Sequence, residues 1–224
     1  MGNIGEASIV DIGSGPGGML SYFQSQGHKV AGCDLDNQAV AYGRGQGVPL
    51  THGSVTDLNL NWTPDIVILS HVVEHFLSPV SDLQDIRRLL DADSRLYVEV
   101  PGIKRLSPLS AYYQADFLRQ LQNAHNFYFS ARSLGNLFRT AMFSVENINE
   151  DIRAIFAPAD INNIEIRPDY QDALNHLQRL EWYHRYNLHR LGTIPQLAYH
   201  PAVLSALKRT GLYPFAKRVH DAFF

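Results

Sequence analysis

Ser8-Ile9-Val10-Asp11-Ile12-Gly13-Ser14-Gly15-Pro16-Gly17-Gly18-Met19-Leu20-Ser21-Tyr22-Phe23 decides the fold. Residues 8–12 form a short apolar run of the kind that makes a buried strand. The run passes straight into a turn of four glycines and a proline, then into a helical pattern that closes at Gly27, a residue type that ends helices well. Strand, glycine turn and helix in that order open a doubly wound sheet, and the turn is where such a sheet meets an anionic or nucleotide ligand. Glycine is needed there because a Cβ would strike the ligand or demand a forbidden φ.

Working outward, strands are predicted over 29–34, 48–52, 65–70 and 95–100, and helices over 37–46 and 81–90. Gly43 and Gly45 weaken the first of these helices. Asp65-Ile66-Val67-Ile68-Leu69-Ser70, introduced by Pro64, is the strongest strand. Its unbroken apolar character suits a parallel strand covered on both faces. Alternation of strand and helix through residue 100 means a parallel, doubly wound sheet. A further helix is expected over 130–140 with Ser130 as its N-cap. Residues 143–149 and 152–156 read as a late antiparallel hairpin, 172–191 as one long helix, and 201–224 as one or two more. The expected division is a ligand-binding α/β domain over 1–158 and a helical C-terminal extension over 159–224.

Composition narrows the function. The 224 residues are 45% hydrophobic and 18% charged, enough to bury a core and unlike a disordered chain. A formal net charge of −3 argues against bulk attraction to nucleic acid or membrane. The apolar runs are far shorter than a membrane span needs. Met1 to Glu6 has neither the basic nor the apolar region of a signal peptide. Cys33 is the single cysteine, so an internal disulfide and a cysteine-built zinc site are both excluded, which fits a reducing, cytoplasmic setting. Charge is uneven: residues 1–150 carry ten Lys/Arg against fifteen Asp/Glu, whereas from Ala173 to His220 seven basic residues face only Glu181. A locally basic tail makes an anionic substrate group worth considering.

The glycine spacing fits two templates. Gly13, Gly15 and Gly18 match G-x-G-x-x-G of dinucleotide enzymes, and Gly13, Gly15 and Gly17 match G-x-G-x-G. Asp11 separates them, because a carboxylate at the end of the first strand repels a pyrophosphate. Asp34 ends the second strand, where a carboxylate accepts both hydroxyls of a ribose, as it also does in dinucleotide enzymes. With these stand the fourth strand and His71-Val72-Val73-Glu74-His75 after it, and Leu96-Tyr97-Val98-Glu99-Val100-Pro101. In that order the segments resemble the motifs of class I S-adenosylmethionine-dependent methyltransferases, over about residues 8–157. Ala124-His125-Asn126-Phe127-Tyr128-Phe129-Ser130 is similar to the segment before that family's last helix.

The resemblance implies a Rossmann-like α/β fold, mostly parallel with a C-terminal antiparallel hairpin and here a helical extension. It implies S-adenosylmethionine as cofactor and S-adenosylhomocysteine as product. It places Asp11 at the amino end of the ligand, Gly13, Ser14, Gly15 and Gly17 along the methionine, Asp34 with Leu35 at the ribose, Ser54 and Val55 at the adenine, and Ser70 at the end of the fourth strand. Many members have Asp where Ser54 stands; the Val55 backbone N–H is the expected substitute.

His71-x-x-Glu74-His75 also has the H-x-x-E-H form of inverzincin proteases. That motif must lie within a helix, and here it starts at the end of a buried strand, so the protease is set aside. Small-RNA 2′-O-methyltransferases place E-x-x-E-H at this point and add a later histidine, which would make His71, Glu74, His75 and His125 a metal set. The first of these is His rather than Glu, and the sequence reading assigns no metal. The sulfonium methyl needs only an aligned nucleophile, and a hydroxyl acceptor needs a base that works near neutral pH. His71 is the first candidate, with His125 and His75 behind it.

Only a few residues precede the first strand, where relatives carry helices over the cofactor. Either the chain is a piece of a longer protein, or residues 103–127 or the tail form the cover. Leu106 to Gln114 is the expected substrate loop. Trp182, Tyr183, His184, Arg185 and Tyr186, with His189 and Arg190, read either as a face packed on the sheet or on a second copy in a homodimer, or as a platform for a sugar or nucleotide diphosphate. The function expected from the sequence is methyl transfer to a small-molecule or sugar-containing acceptor at oxygen. The alternatives are a metal-assisted RNA 2′-O-methyltransferase, an inactive methyltransferase-like binding module and a dinucleotide-dependent oxidoreductase.

Overall fold

A computed structural model describes residues 6–107, 116–160, 164–186, 205, 207–211, 213 and 214. Most of the expected substrate loop, the end of the long helix with His189 and Arg190, and most of 201–224 lie outside these residues. Two compact units are present, 1–105 with 122–171, and 106–121 with 172–224.

In the first unit the elements run β1 (Ser8–Ile12), α1 (Gly18–Ser25), β2 (Lys29–Asp34), α2 (Asn37–Gly45), β3 (Leu50–His52), β4 (Ile66–Ser70), α3 (Pro79–Arg87), β5 (Arg95–Glu99), α4 (Ala131–Thr140), β6 (Phe143–Ile148) and β7 (Arg153–Pro158). One seven-stranded sheet has the order β3-β2-β1-β4-β5-β7-β6. β3, β2, β1, β4 and β5 are parallel. β7 runs antiparallel to both β5 and β6, which is the expected hairpin.

Two clusters cover the two sheet faces. Val10, Ile12, Val67, Leu69, Leu96 and Val98 face α3 and α4, with Phe138 stacked on Phe156 at 3.8 Å. Ile9 and Ile68 face the other way, into Leu20 and Val40 of α1 and α2. Neighbours in β1 and β4 thus bury against opposite layers, which is why those strands are apolar throughout rather than alternating.

The expected boundaries shift for local reasons. β3 begins at Leu50 because the Val48 N–H closes α2 on the Gly43 carbonyl at 3.1 Å. α3 begins at Pro79, a residue suited to the first helical position. β7 begins at Arg153 because Ile152 sits at φ 48 in the turn before it. Ser130 caps α4 with a reciprocal bond to Ser133. Gly43, read from the sequence as a weakness, is a close approach: a Cβ there would lie 2.4 Å from the Pro16 carbonyl oxygen and 2.5 Å from Leu50.

The second unit contains most of α5 (Tyr170–Arg185). Leu177, Leu180 and Tyr183 pack with Leu106 and Phe117, while Trp182 and Tyr186 are exposed and Glu181 pairs with Arg185 at 2.6 Å. Among the described residues no helix is long and apolar enough to cross a membrane.

Candidate active site

The sheet order reverses between β1 and β4, and ligands of open α/β sheets bind beyond the strand carboxyl ends at such a point. Here those ends carry Asp11 (β1), Asp34 (β2) and Ser70 (β4). The turn after β1 is shaped by left-handed glycines: Gly13, Gly15 and Gly17 have φ 72, 53 and 77. A Cβ on Gly13 would also strike Val72 at 2.5 Å. Backbone N–H groups of Gly13 and Ser14 both donate to the Cys33 carbonyl, at 2.8 and 3.1 Å, which ties the turn to β2.

Asp34 locks the same turn. One carboxylate oxygen accepts the Gly15 N–H at 2.7 Å and the other accepts the Asp36 N–H at 2.8 Å. Asp11 is buried at 4% exposure. Desolvation, reinforced by the charge of Asp34, pushes its pKa up to about 7. Burial likewise pushes the Cys33 thiol up to about 12, so this buried cysteine is no nucleophile at neutral pH.

A cavity of about 440 Å³ opens beside Asp34. Gly13, Asp34, Leu35, Ser54 and Val55 line it, together with His75. Ser54 caps a short helical turn, Val55–Asp57, its own N–H held by Asp57 at 2.8 Å. Asp11, Ser14, Gly15, Gly17, Ser70, His71 and His125 do not line this cavity. Its remaining wall was not singled out from the sequence. Val72, Phe76 and Leu77 supply apolar surface, and Asp82 and Asp85 of α3 supply carboxylates. Those two acids share one face of the helix by their i, i+3 spacing, which does not by itself say that the face meets a cavity.

The histidines named from the sequence do converge, and Glu74 is their hub. His71 follows β4 in a left-handed backbone conformation, φ 57, uncommon for a residue with a Cβ and concentrated at functional sites. Its N–H donates to the Glu99 carbonyl at 2.8 Å, and its Nδ1 lies 3.3 Å from Glu74 Oε1. Glu74 is fully buried. His75 Nε2 and His125 Nε2 each stand 4.0 Å from the same oxygen. His125 reaches the cluster from far along the chain because Asn126 and Phe127 donate their N–H groups to the Glu74 carbonyl at 2.8 and 3.2 Å, and the Asn126 amide donates to the His75 carbonyl at 2.9 Å.

A family model described as a methyltransferase domain matches residues 3–148. No curated protein matches the chain by sequence. Among solved structures, 1,6-didemethyltoxoflavin-N1-methyltransferase of Burkholderia thailandensis, with bound 1,6-didemethyltoxoflavin and S-adenosylhomocysteine, is similar at TM-score 0.50 and 23% identity over 69% of this chain and 72% of that one. Magnesium protoporphyrin IX methyltransferase from Synechocystis PCC 6803, with bound S-adenosylhomocysteine, gives 0.53 and 14% over 70% and 76%. The mitomycin 7-O-methyltransferase gives 0.56 and 20% over 69% of this chain and 50% of that one. At these identities the likeness is one of fold, the Rossmann-like fold of S-adenosylmethionine-dependent methyltransferases. The family match spans more than half of the sequence, and the chain belongs to the methyltransferase-domain family.

Proposed function

We propose that the chain transfers the methyl group of S-adenosylmethionine to a hydroxyl of a small or sugar-containing acceptor, in the cytoplasm. The observation that carries this reading is the His71–Glu74 pair at the carboxyl end of β4, next to a cavity walled by cofactor-type residues. Asp34 retains acceptor capacity for two ribose hydroxyls, because a carboxylate has about four lone-pair sites and two are spent on Gly15 and Asp36. The apolar wall of Leu35, Val55, Val72, Phe76 and Leu77 suits a purine ring. Asp11, desolvated at the end of β1, favours a cationic amino group and opposes a pyrophosphate, which speaks against the dinucleotide alternative.

In the reaction the acceptor oxygen attacks the methyl carbon in line with the C–S bond. The bond breaks, sulfur keeps the electron pair, and S-adenosylhomocysteine is left. His71 takes the hydroxyl proton. Its Nδ1–H donates to Glu74, which leaves Nε2 as the proton acceptor on a half-exposed ring. His75 and His125 stand behind it as positioning groups. Residues 1–158 hold the cofactor; the extension over 159–224 serves acceptor recognition, cover or contact with a second copy.

Calorimetric titration with S-adenosylhomocysteine and with a nicotinamide dinucleotide tests the cofactor half. The expected result is binding of the first, on the order of micromolar, and none of the second; the reverse sinks the proposal. A screen of hydroxyl-bearing metabolites, followed by release of S-adenosylhomocysteine, tests the chemistry. With an acceptor in hand, His71→Gln is expected to lower kcat about a hundredfold to ten-thousandfold with cofactor affinity unchanged. Turnover confined to RNA, or cofactor binding with no turnover on any acceptor, would favour the RNA enzyme or the binding module instead.

A further inference from the structure

We propose that Glu74, His75 and His125 form a site for one divalent transition-metal ion beside the ligand cavity. Their donor atoms already lie within 4.8 Å of one another. A metal at about 2.1 Å from each would draw the two imidazoles and the carboxylate together by only about half an ångström.

Three observations point to an ion rather than to a plain hydrogen-bonded cluster. Among the described residues, buried Glu74 Oε2 has no hydrogen-bond partner, and Oε1 has only His71 at 3.3 Å. An almost unsolvated carboxylate of this kind is costly unless a cation meets it. The His125 side chain is only 6% exposed, and its Nδ1 has no partner among the described residues. At 4.0 Å neither His75 nor His125 hydrogen-bonds Glu74, yet both present Nε2 to it.

The orientation of His75 is fixed as a ligand requires. Its Nδ1 lies 2.8 Å from the Ala124 carbonyl, and a carbonyl only accepts, so the proton sits on Nδ1 and the Nε2 lone pair faces Glu74. An imidazole tied through its other nitrogen to a backbone carbonyl is the usual support for a metal ligand. The Asn126 clasp on His75 and Glu74 holds the two segments in register. Two imidazoles and one carboxylate suit zinc, cobalt, nickel, iron or manganese better than magnesium or calcium. Three protein ligands leave coordination positions open, and His75, which lies in the cavity wall, puts the site at the border of that cavity.

The site is tested on untagged, full-length protein, stripped by chelator and titrated with Co(II), with visible ligand-field absorption as the readout. One ion per chain is expected, with an imidazole–carboxylate spectrum. Glu74→Gln is nearly isosteric, and His75→Gln alters an exposed side chain. Each is expected to weaken Co(II) binding about 100-fold or more while circular dichroism stays that of the wild type. Absence of Co(II) absorption in the wild type, or absorption unchanged in the folded His75→Gln protein, overturns the proposal. Neither result depends on whether the chain methylates anything, so a failed metal site and a failed acceptor screen are separate outcomes.

Discussion

The two acidic centres on either side of the sheet reversal are built by opposite means. Asp34, at the end of β2, has each oxygen held by a backbone N–H from an adjoining turn. Glu74, after β4, has side chains for neighbours: three imidazoles, only one of them within hydrogen-bond reach. Main-chain donors are fixed by the path of the chain, so Asp34 and the glycine turn are ready for a ligand before it arrives. The Glu74 centre is made of groups that can gain or lose a proton or bind an ion. A fold shared by enzymes with different acceptors has good reason to hold its cofactor in the first way and run its chemistry in the second.

The largest expected effect tests the rigid side. Asp34→Ala removes the acceptor for two ribose hydroxyls and the anchor of Gly15. Hydrogen bonds to a charged group contribute about 1.5–3 kcal/mol each, so the loss is about 3 kcal/mol or more, roughly a hundredfold or greater in S-adenosylhomocysteine affinity by calorimetry. Asp34→Asn keeps one acceptor oxygen and is expected to fall in between. Unchanged affinity in Asp34→Ala would break the contrast, because the rigid centre would then not be the cofactor anchor.

Asp11 gives an effect on ligand affinity of about tenfold per pH unit, smaller than that of Asp34→Ala and with a definite sign. Its folded pKa of about 7 lies above the ordinary 3.8. The folded state therefore binds more protons between those values, and the associated stability, present below pH 4, is lost as pH rises to 7. The span corresponds to an effect on the order of 4 kcal/mol. Ligand binding runs the other way. A cationic amino group needs the ionised carboxylate, so S-adenosylhomocysteine affinity should fall about tenfold for each pH unit below 7 and level off above it. Both trends should vanish in Asp11→Asn, read by denaturant unfolding and calorimetry between pH 5.5 and 8. A flat wild-type profile would remove Asp11 from the amino end of the ligand.

The same contrast explains what could be read from the sequence. The glycine turn, Asp11 and Asp34 lie within 24 residues and follow a local pattern of strand, turn and helix, so periodicity and residue type were enough to place them. Ser54 and Val55 came from resemblance, and the structure sets them in the cavity wall. The grouping of Glu74 with His125 came only from a resemblance and not from local pattern, because it depends on His125 crossing 51 residues of sequence to lie 4.0 Å away. Asn126, which fastens that crossing, stood in the sequence only as one residue of the segment before the last helix, with no role of its own. Asp82 and Asp85 were visible only as polar positions of an amphipathic helix, and nothing in helical spacing says that a polar face turns toward a cavity rather than toward solvent.

Gly43 offers the smallest effect and the sharpest sign. Glycine inside a helix costs about 0.5–1 kcal/mol relative to alanine, so propensity alone predicts that Gly43→Ala stabilises the protein. The packing predicts the reverse. The new Cβ would sit 2.4 Å from the Pro16 carbonyl oxygen, backbone of the cofactor turn, and that turn is tied to β2 through Cys33 and Asp34. Overpacking of this kind costs about 1–3 kcal/mol, which exceeds the propensity gain and should appear as a thermal midpoint lower by a few degrees. Gly45, on the same helix with nothing within 4 Å of its missing Cβ, is the control: Gly45→Ala should raise the midpoint or leave it unchanged. If Gly43→Ala behaves like Gly45→Ala, the turn yields, and the main-chain centre is no more rigid than the side-chain one opposite it.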